Sequence, residues 1–365
     1  MAKIFISAPD FYGIDSAIKE SFEQLGYDTV LSNYRTKQNL LERISTKIGL
    51  KSPSLKFIVN PVLKYYLNEE NKKFIETVKK EEPSLIFIIK GDHLFPDTLK
   101  ELKRQNKCPI IAYIWDDPFY SYAGSFTDDL RKSNFEQGMD LYDYIFVYDT
   151  FYVEQIKKRG ILNVKYLPLA ADLKGFKNVA ISEEEQNKYN YDICFVGAPY
   201  PNRIKILESL KHYSLGVYGD GWSKYFLSIG KTTPSYYKGK AMGDKVLKIY
   251  LSSKIVLNIH DPEAREGLNT RTFDILASGA AEMVDWKKNL EMHFKIGKEI
   301  VTFKDNIDLL SSVEYYLKNH DLLREISNNG RRRVRDEHTW IHRANCIINT
   351  IKEHGIISKD FGLVK

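Results

Sequence analysis

Three cysteines, Cys108, Cys194 and Cys346, are all that the 365 residues contain. Their odd number and wide spacing fit neither a disulfide framework nor a zinc site, and they read as buried thiols of a cytoplasmic protein. Long apolar runs are missing too. None approaches the ~18 residues of a transmembrane helix, and the opening MAKIFISAPD lacks the ~7–15-residue apolar stretch of a secretory leader. It reads instead as a first buried strand. An excess of one charge is also lacking: 54 Lys and Arg stand against 48 Asp and Glu. The resulting +6 suits an anionic ligand but is too small and too scattered to argue for nucleic acid. No short-period repeat or low-complexity segment appears.

What is present is an ordinary globular composition, 43% hydrophobic and 28% charged, with length for about two domains. Tyrosine is plentiful, at 24 residues. It suits clefts that take polar ring-shaped ligands, and equally plain packing. The first half carries short apolar runs at Lys3–Ser7, Ser84–Ile89, Pro109–Ile114, Tyr144–Tyr148 and Val164–Leu167. Continuous β-branched and aromatic runs predict strands covered on both faces, as in parallel sheets. Helical patterns at Ser16–Leu25, Phe74–Lys80 and Asp97–Gln105 lie between them. The second half repeats this, with strands at Tyr191–Val196, Leu215–Tyr218, Lys254–Ile259, Ala280–Val284 and Glu299–Phe303. The polar stretch Ala170–Asn190, with Ser182–Glu185 reading SEEE, looks like the linker. Alternation of strand and helix predicts two doubly wound α/β halves, with a ligand cleft at the carboxyl ends of the strands. Glycosyltransferases of GT-B build, sugar-phosphate epimerases and bilobed binding proteins share that plan, so architecture alone does not choose among them.

The sharpest segment is Glu266–Ala280, EGLNTRTFDILASGA. Gly267 to Asn269 form a turn before a helix that Thr270 is placed to cap. Such a helix start offers free N–H groups to an anion, and Arg271 adds a guanidinium fork for phosphate. Asp274, one turn further on, can accept both hydroxyls of a ribose, or simply pair with Arg271 at i, i+3. The loop Gly197–Arg203 (GAPYPNR) brings Asn202 and Arg203 to a second helix start. Tyr218 and Trp222 flank glycines after the next strand, where either ring can stack on a base or simply pack.

Glu266-x7-Asp274 resembles the E-x7-E element of GT-B glycosyltransferases. Tyr250–Ser278 as a whole resembles the CgeB-like, spore-maturation type, whose C-terminal domain is of the "glycosyl transferases group 1" kind. The residues that carry the likeness are Leu257-Asn258, then Arg271-Thr-Phe-Asp274. They continue with Gly297–Phe303 and Asp305, the helix Asn319–Gly330, His338-Thr339-Trp340 and, upstream, Phe195-Val196-Gly197 with Arg203. The cover is about residues 191–348. The N-terminal half is similar only at Trp115-Asp116-Asp117-Pro118. Asp274 departs from the family glutamate, keeping the charge on a shorter stem.

The resemblance implies a GT-B fold. Its parts would be an N-terminal acceptor domain over 1–175, a nucleotide-sugar domain over 190–338, and a helix over 339–365 crossing back to the first domain. It also implies a glycosyltransferase using a UDP- or TDP-sugar, with Gly197, Asn202, Arg203, Tyr218, Trp222, Asn258, Glu266, Gly267, Asn269, Thr270, Arg271 and Asp274 around the donor. A base for the acceptor hydroxyl is expected at a strand end of the first half, from Asp10, Asp92 or Asp117. No metal is expected: Asp116-Asp117 lacks the D-x-D spacing, and arginines with helix starts can carry the diphosphate charge. Two other readings stand beside this one, a non-catalytic bilobed nucleotide-, sugar- or partner-binding protein and a DNA-modifying glycosyltransferase. The basic run Arg331–Arg335 reads as a solvated helix end, or as a contact for nucleic acid or an acidic membrane surface.

Overall fold

The strands form because short β-branched and aromatic runs can be covered on both faces. In this computed structural model Leu85–Ile89 (LIFII) and Ile110–Ile114 (IIAYI) are buried at every position. The structure describes residues 2–10, 13–34, 56–105, 108–119, 133–176 and 179–362. The chain divides into two units, one of Met1–Pro168 with Trp340–Lys365 and one of Leu169–Thr339.

The first unit holds a parallel sheet of β1 (Lys3–Ala8), β2 (Asp28–Asn33), β3 (Leu85–Ile89), β4 (Ile110–Ile114), β5 (Tyr144–Val147) and β6 (Val164–Tyr166). Their order is β2-β1-β3-β4-β5-β6. The final helix, Trp340–Glu353, belongs to this unit and packs on the helix Ile14–Gln24. Trp340, Ala344, Ile347, Ile348 and Ile351 form its buried stripe. Arg343 is buried as well. Its Nε donates to the Pro168 carbonyl at 2.7 Å, and the Tyr113 hydroxyl donates to the same oxygen at 2.9 Å. The arginine is drawn inward because the backbone where the chain leaves this unit needs donors.

The second unit holds β7 (Ile193–Val196), β8 (Leu215–Tyr218), β9 (Tyr237–Gly239), β10 (Ile255–Asn258), β11 (Glu282–Asp285) and β12 (Val301–Phe303). Their order is β12-β11-β10-β7-β8-β9, again parallel. The SEEE stretch is not a loose linker. Ser182 and Glu185 cap a helix Glu183–Lys188 reciprocally, and Glu185 pairs with Lys248 at 2.6 Å. That docks the segment on the second unit.

Candidate active site

In the second unit, two guanidinium groups converge on one ring. Arg203 and Arg271 stand 5.6 and 5.5 Å from the centroid of Phe195 on β7. Glycine follows at 197 because a Cβ there would lie 2.9 Å from the Arg271 guanidinium. Gly219, at φ 146, has the same need: a Cβ would overlap the Gly197 carbonyl oxygen. These close approaches leave the end of β7 as bare backbone beside two cations.

Arg271 lies in the first turn of the helix Thr270–Ser278. Its Nη1 donates to Asn258 Oδ1 at 3.2 Å, and no ion pair to it appears among the described residues. The i, i+3 pairing with Asp274 is therefore not what holds it. Asn258, the last residue of β10, is turned by its neighbours. Its Nδ2 donates to Glu282 Oε1 at 2.7 Å and to Thr272 Oγ1 at 3.0 Å, which leaves Oδ1 for Arg271 and for Asn269 Nδ2. The helix cap is Asn269, whose side chain accepts from Thr272 N at 3.1 Å, while Thr270 is the first helical residue. Asparagine outcompetes threonine here because its amide also bonds Asn258.

Arg203 is only 2% exposed. Nε donates to the Ile259 carbonyl at 3.0 Å and Nη1 to that of Ala198 at 3.2 Å, while Nη2 is 4.0 Å from Asp261. Burial, and next the charge of Arg271, bring its pKa down to about 10, so it stays a cation at neutral pH. Asn202 donates to the His260 carbonyl at 3.2 Å. The two residues thus brace the loop after β10 more than they present a face. Replacing Arg203 by alanine strands both carbonyls, and the expected cost in urea unfolding is about 3 kcal/mol. A loss below about 0.5 kcal/mol would show that the braces carry nothing.

Asp274 follows Arg271 by one turn in the helix Thr270–Ser278. Burial raises its pKa from the ordinary 3.8 to about 7; Arg271 opposes that and Asp172 adds to it. The folded protein therefore holds this proton more tightly than the unfolded chain does. The stabilisation is full below about pH 4 and is lost as pH rises to about 7. Asp274→Asn is expected to flatten that part of the melting-temperature profile, and a decline as steep as the parent's would contradict the assignment. Glu266, its partner in the x7 spacing, meets Lys288 Nζ with both oxygens at 3.1 Å, and buried Gly267 follows it.

Two expectations fail. Trp222 is wholly buried; its indole N–H donates to the Gly197 carbonyl at 2.8 Å and its ring stacks on Phe226 and Tyr237. Tyr218 is 3% exposed, its hydroxyl 2.9 Å from that of Tyr191. Both are packing residues and neither is open to a base. Two features went unread in the sequence. Glu282, buried on β11, fixes the Asn258 amide, and burial pushes its own carboxyl well up. Asp285 accepts from both His260 N and, at 2.7 Å, His260 Nδ1, which ties the ends of β10 and β11. Glu282 could be noticed only as a lone acid inside an apolar strand.

In the first unit, Asp10, Asp92 and Asp117 follow β1, β3 and β4, which are neighbours in the sheet, so they share its carboxyl edge. Asp10 is exposed; Asp92 and Asp117 are buried. Asp117 Oδ1 accepts from Phe119 N at 2.9 Å, the bond of a turn residue. Asp116 pairs with Lys90 at 2.7 Å. Lys90 has φ 68, a left-handed conformation uncommon outside glycine, in the loop that carries Asp92 and His93. His93 Nε2 lies 3.3 Å from Ser7 Oγ, and its ring stacks on Tyr34 at 3.4 Å. Among the described residues no group of three or more His, Cys, Asp or Glu could hold a metal ion, and no helix is long and apolar enough to cross a membrane.

Residues 203–349 match the family described as glycosyl transferase-like, so the second unit carries a glycosyltransferase-family domain. The whole chain has the GT-B fold: it superposes with a TM-score of 0.68 on a sucrose-phosphate synthase of Thermosynechococcus elongatus, at 13% identity over 97% of this chain and 99% of that one. The Anabaena protein HepE, solved in complex with UDP-glucose, gives 0.65 at 10% identity over 97% and 100%. More particularly, the chain is CgeB-like, as its motifs suggest. It is 24% identical to the spore protein CgeB of Bacillus subtilis (strain 168) over 219 residues, 56% of this chain. The match spans 64% of that relative's length.

Proposed function

We propose that the chain is a glycosyltransferase that takes its sugar from a UDP-sugar and needs no metal ion. The observation that carries this is the pair of guanidiniums, Arg203 and Arg271, converging on Phe195 beside glycine backbone and a helix start. Like charges held together in a partly dry site repel until an anion enters, and they then stabilise charge developing on a leaving diphosphate. Arg271 meets the diphosphate, Arg203 supplies charge from behind, and Asp274 takes the ribose hydroxyls. In the first unit, Asp92, buried at the carboxyl end of β3 with His93 Nδ1 4.0 Å away, accepts the proton of the acceptor hydroxyl. The bound UDP-glucose of HepE supports uridine over thymidine.

The test is melting temperature with UDP or TDP, then UDP release from UDP-sugars in EDTA. A ligand at ~100 times its Kd adds about 2.7 kcal/mol of stability, so UDP is expected to raise the melting temperature clearly and UDP-sugars to be turned over without metal. No shift with either nucleotide would end the proposal. Asp274 in place of glutamate favours one second reading, a non-catalytic binder; a UDP shift with no release from any donor would select it.

A further inference from the structure

We propose that a cavity in the first unit binds the acceptor, and that the acceptor is a short neutral saccharide; the acceptor role rests on the glycosyltransferase reading above. The cavity measures about 770 Å3 and lies among the helix Lys56–Glu81, the start of the helix Pro96–Gln105 and residues 133–137. That is the volume of an ordinary small-molecule site. Its walls are mostly hydrogen-bonding side chains, and its ions largely cancel. Lys72 pairs with Glu69 at 2.8 Å and Lys100 with Asp97 at 3.1 Å, leaving Lys64 as the excess charge. A phosphate-bearing ligand would meet two carboxylates beside the three ammonium groups here, whereas a polyol can both donate to the carboxylates and accept from the ammonium groups.

Two side chains point to an occupant. Asn134, 5% exposed, lines the cavity, and its Nδ2 is buried with no hydrogen-bond partner. A donor stranded in this way is costly to the fold and calls for an acceptor from outside the chain. Tyr65 lines the same cavity and is 69% exposed, so its ring is open to a ligand with one apolar face, such as a pyranose. The wall of the cavity is also tied to the loop after β3. Asn71 in its wall donates to the His93 carbonyl at 3.0 Å and accepts from Phe95 N at 3.0 Å and Thr98 Oγ1 at 2.7 Å. A sugar held here would lie against Phe95 and Pro96, which follow that loop.

The experiment is saturation-transfer NMR on the full chain with maltose, cellobiose, lactose and chitobiose, without donor. At least one is expected to bind. Tyr65→Ala and Asn134→Ala should each weaken it about tenfold. Asn134→Ala should also leave the melting temperature unchanged or higher, since it removes an unpaired donor, whereas a purely structural asparagine would lower it. Absence of signal from all four sugars, a response to sugar phosphates alone, or binding unchanged in both variants would overturn the proposal. The UDP shift on the same protein reports the donor site separately. Saccharide binding without that shift would support the cavity while overturning the transferase reading.

Discussion

Replacing Arg271 by alanine is expected to weaken UDP binding by about 1.5–3 kcal/mol, roughly ten- to 150-fold, the scale of a lost hydrogen bond to a charged group. The fold should barely notice. Arg271 contributes one bond to it, to Asn258, and Asn258 keeps Asn269, Thr272 and Glu282. Affinity and stability therefore separate at this residue, whereas at Arg203, pinned to two carbonyls, they fall together. Calorimetric titration of UDP into both alanine variants, beside urea unfolding, reads the contrast. Equal affinity in parent and Arg271→Ala would remove this residue from the site.

Deleting residues 340–365 is expected to prevent the first unit from folding. Trp340, Ile347, Ile348 and Ile351 are each no more than 3% exposed, and Trp340 lies 6.0 Å, ring to ring, from Trp115. Removing a buried residue of this size costs about 2–5 kcal/mol, so four together exceed most of the ~5–15 kcal/mol that stabilises a domain. The single change Trp340→Ala, at about 3–5 kcal/mol, gives a graded version. Hydrogen exchange should show protection lost through β1, β3 and β4 in the truncated protein and kept in β7 and β10. Full protection of the first unit would mean that the helix is dispensable.

What could be read from sequence follows burial. β8 appears at its true ends, and β1, β3, β4 and β7 within two residues, because each is a continuous apolar run. β2, reading DTVLSN, is exposed or half-buried throughout, and β9 has three residues, YKG; neither offers a run to notice. The helix Lys56–Glu81 showed only its end, since Pro61 and mixed faces hide the rest. In the site, Asn258 and Arg271 were legible as a strand end and a helix start. The roles of Tyr218 and Trp222 were not, because a ring after a glycine turn reads alike whether it faces ligand or core. Glu282 acts through the amide orientation of a residue 24 positions away, and spacing carries no trace of that.

We propose that Arg271, with the charge of Arg203 behind it, holds a nucleoside diphosphate at the end of β7. A crystal structure of the full chain with UDP tests it most directly. The diphosphate is expected against Gly197 and the start of the helix Thr270–Ser278, with Arg271 donating to a phosphate oxygen and Asp274 accepting from the ribose. UDP bound elsewhere, or bound here with Arg271 still turned to Asn258 alone, would contradict it.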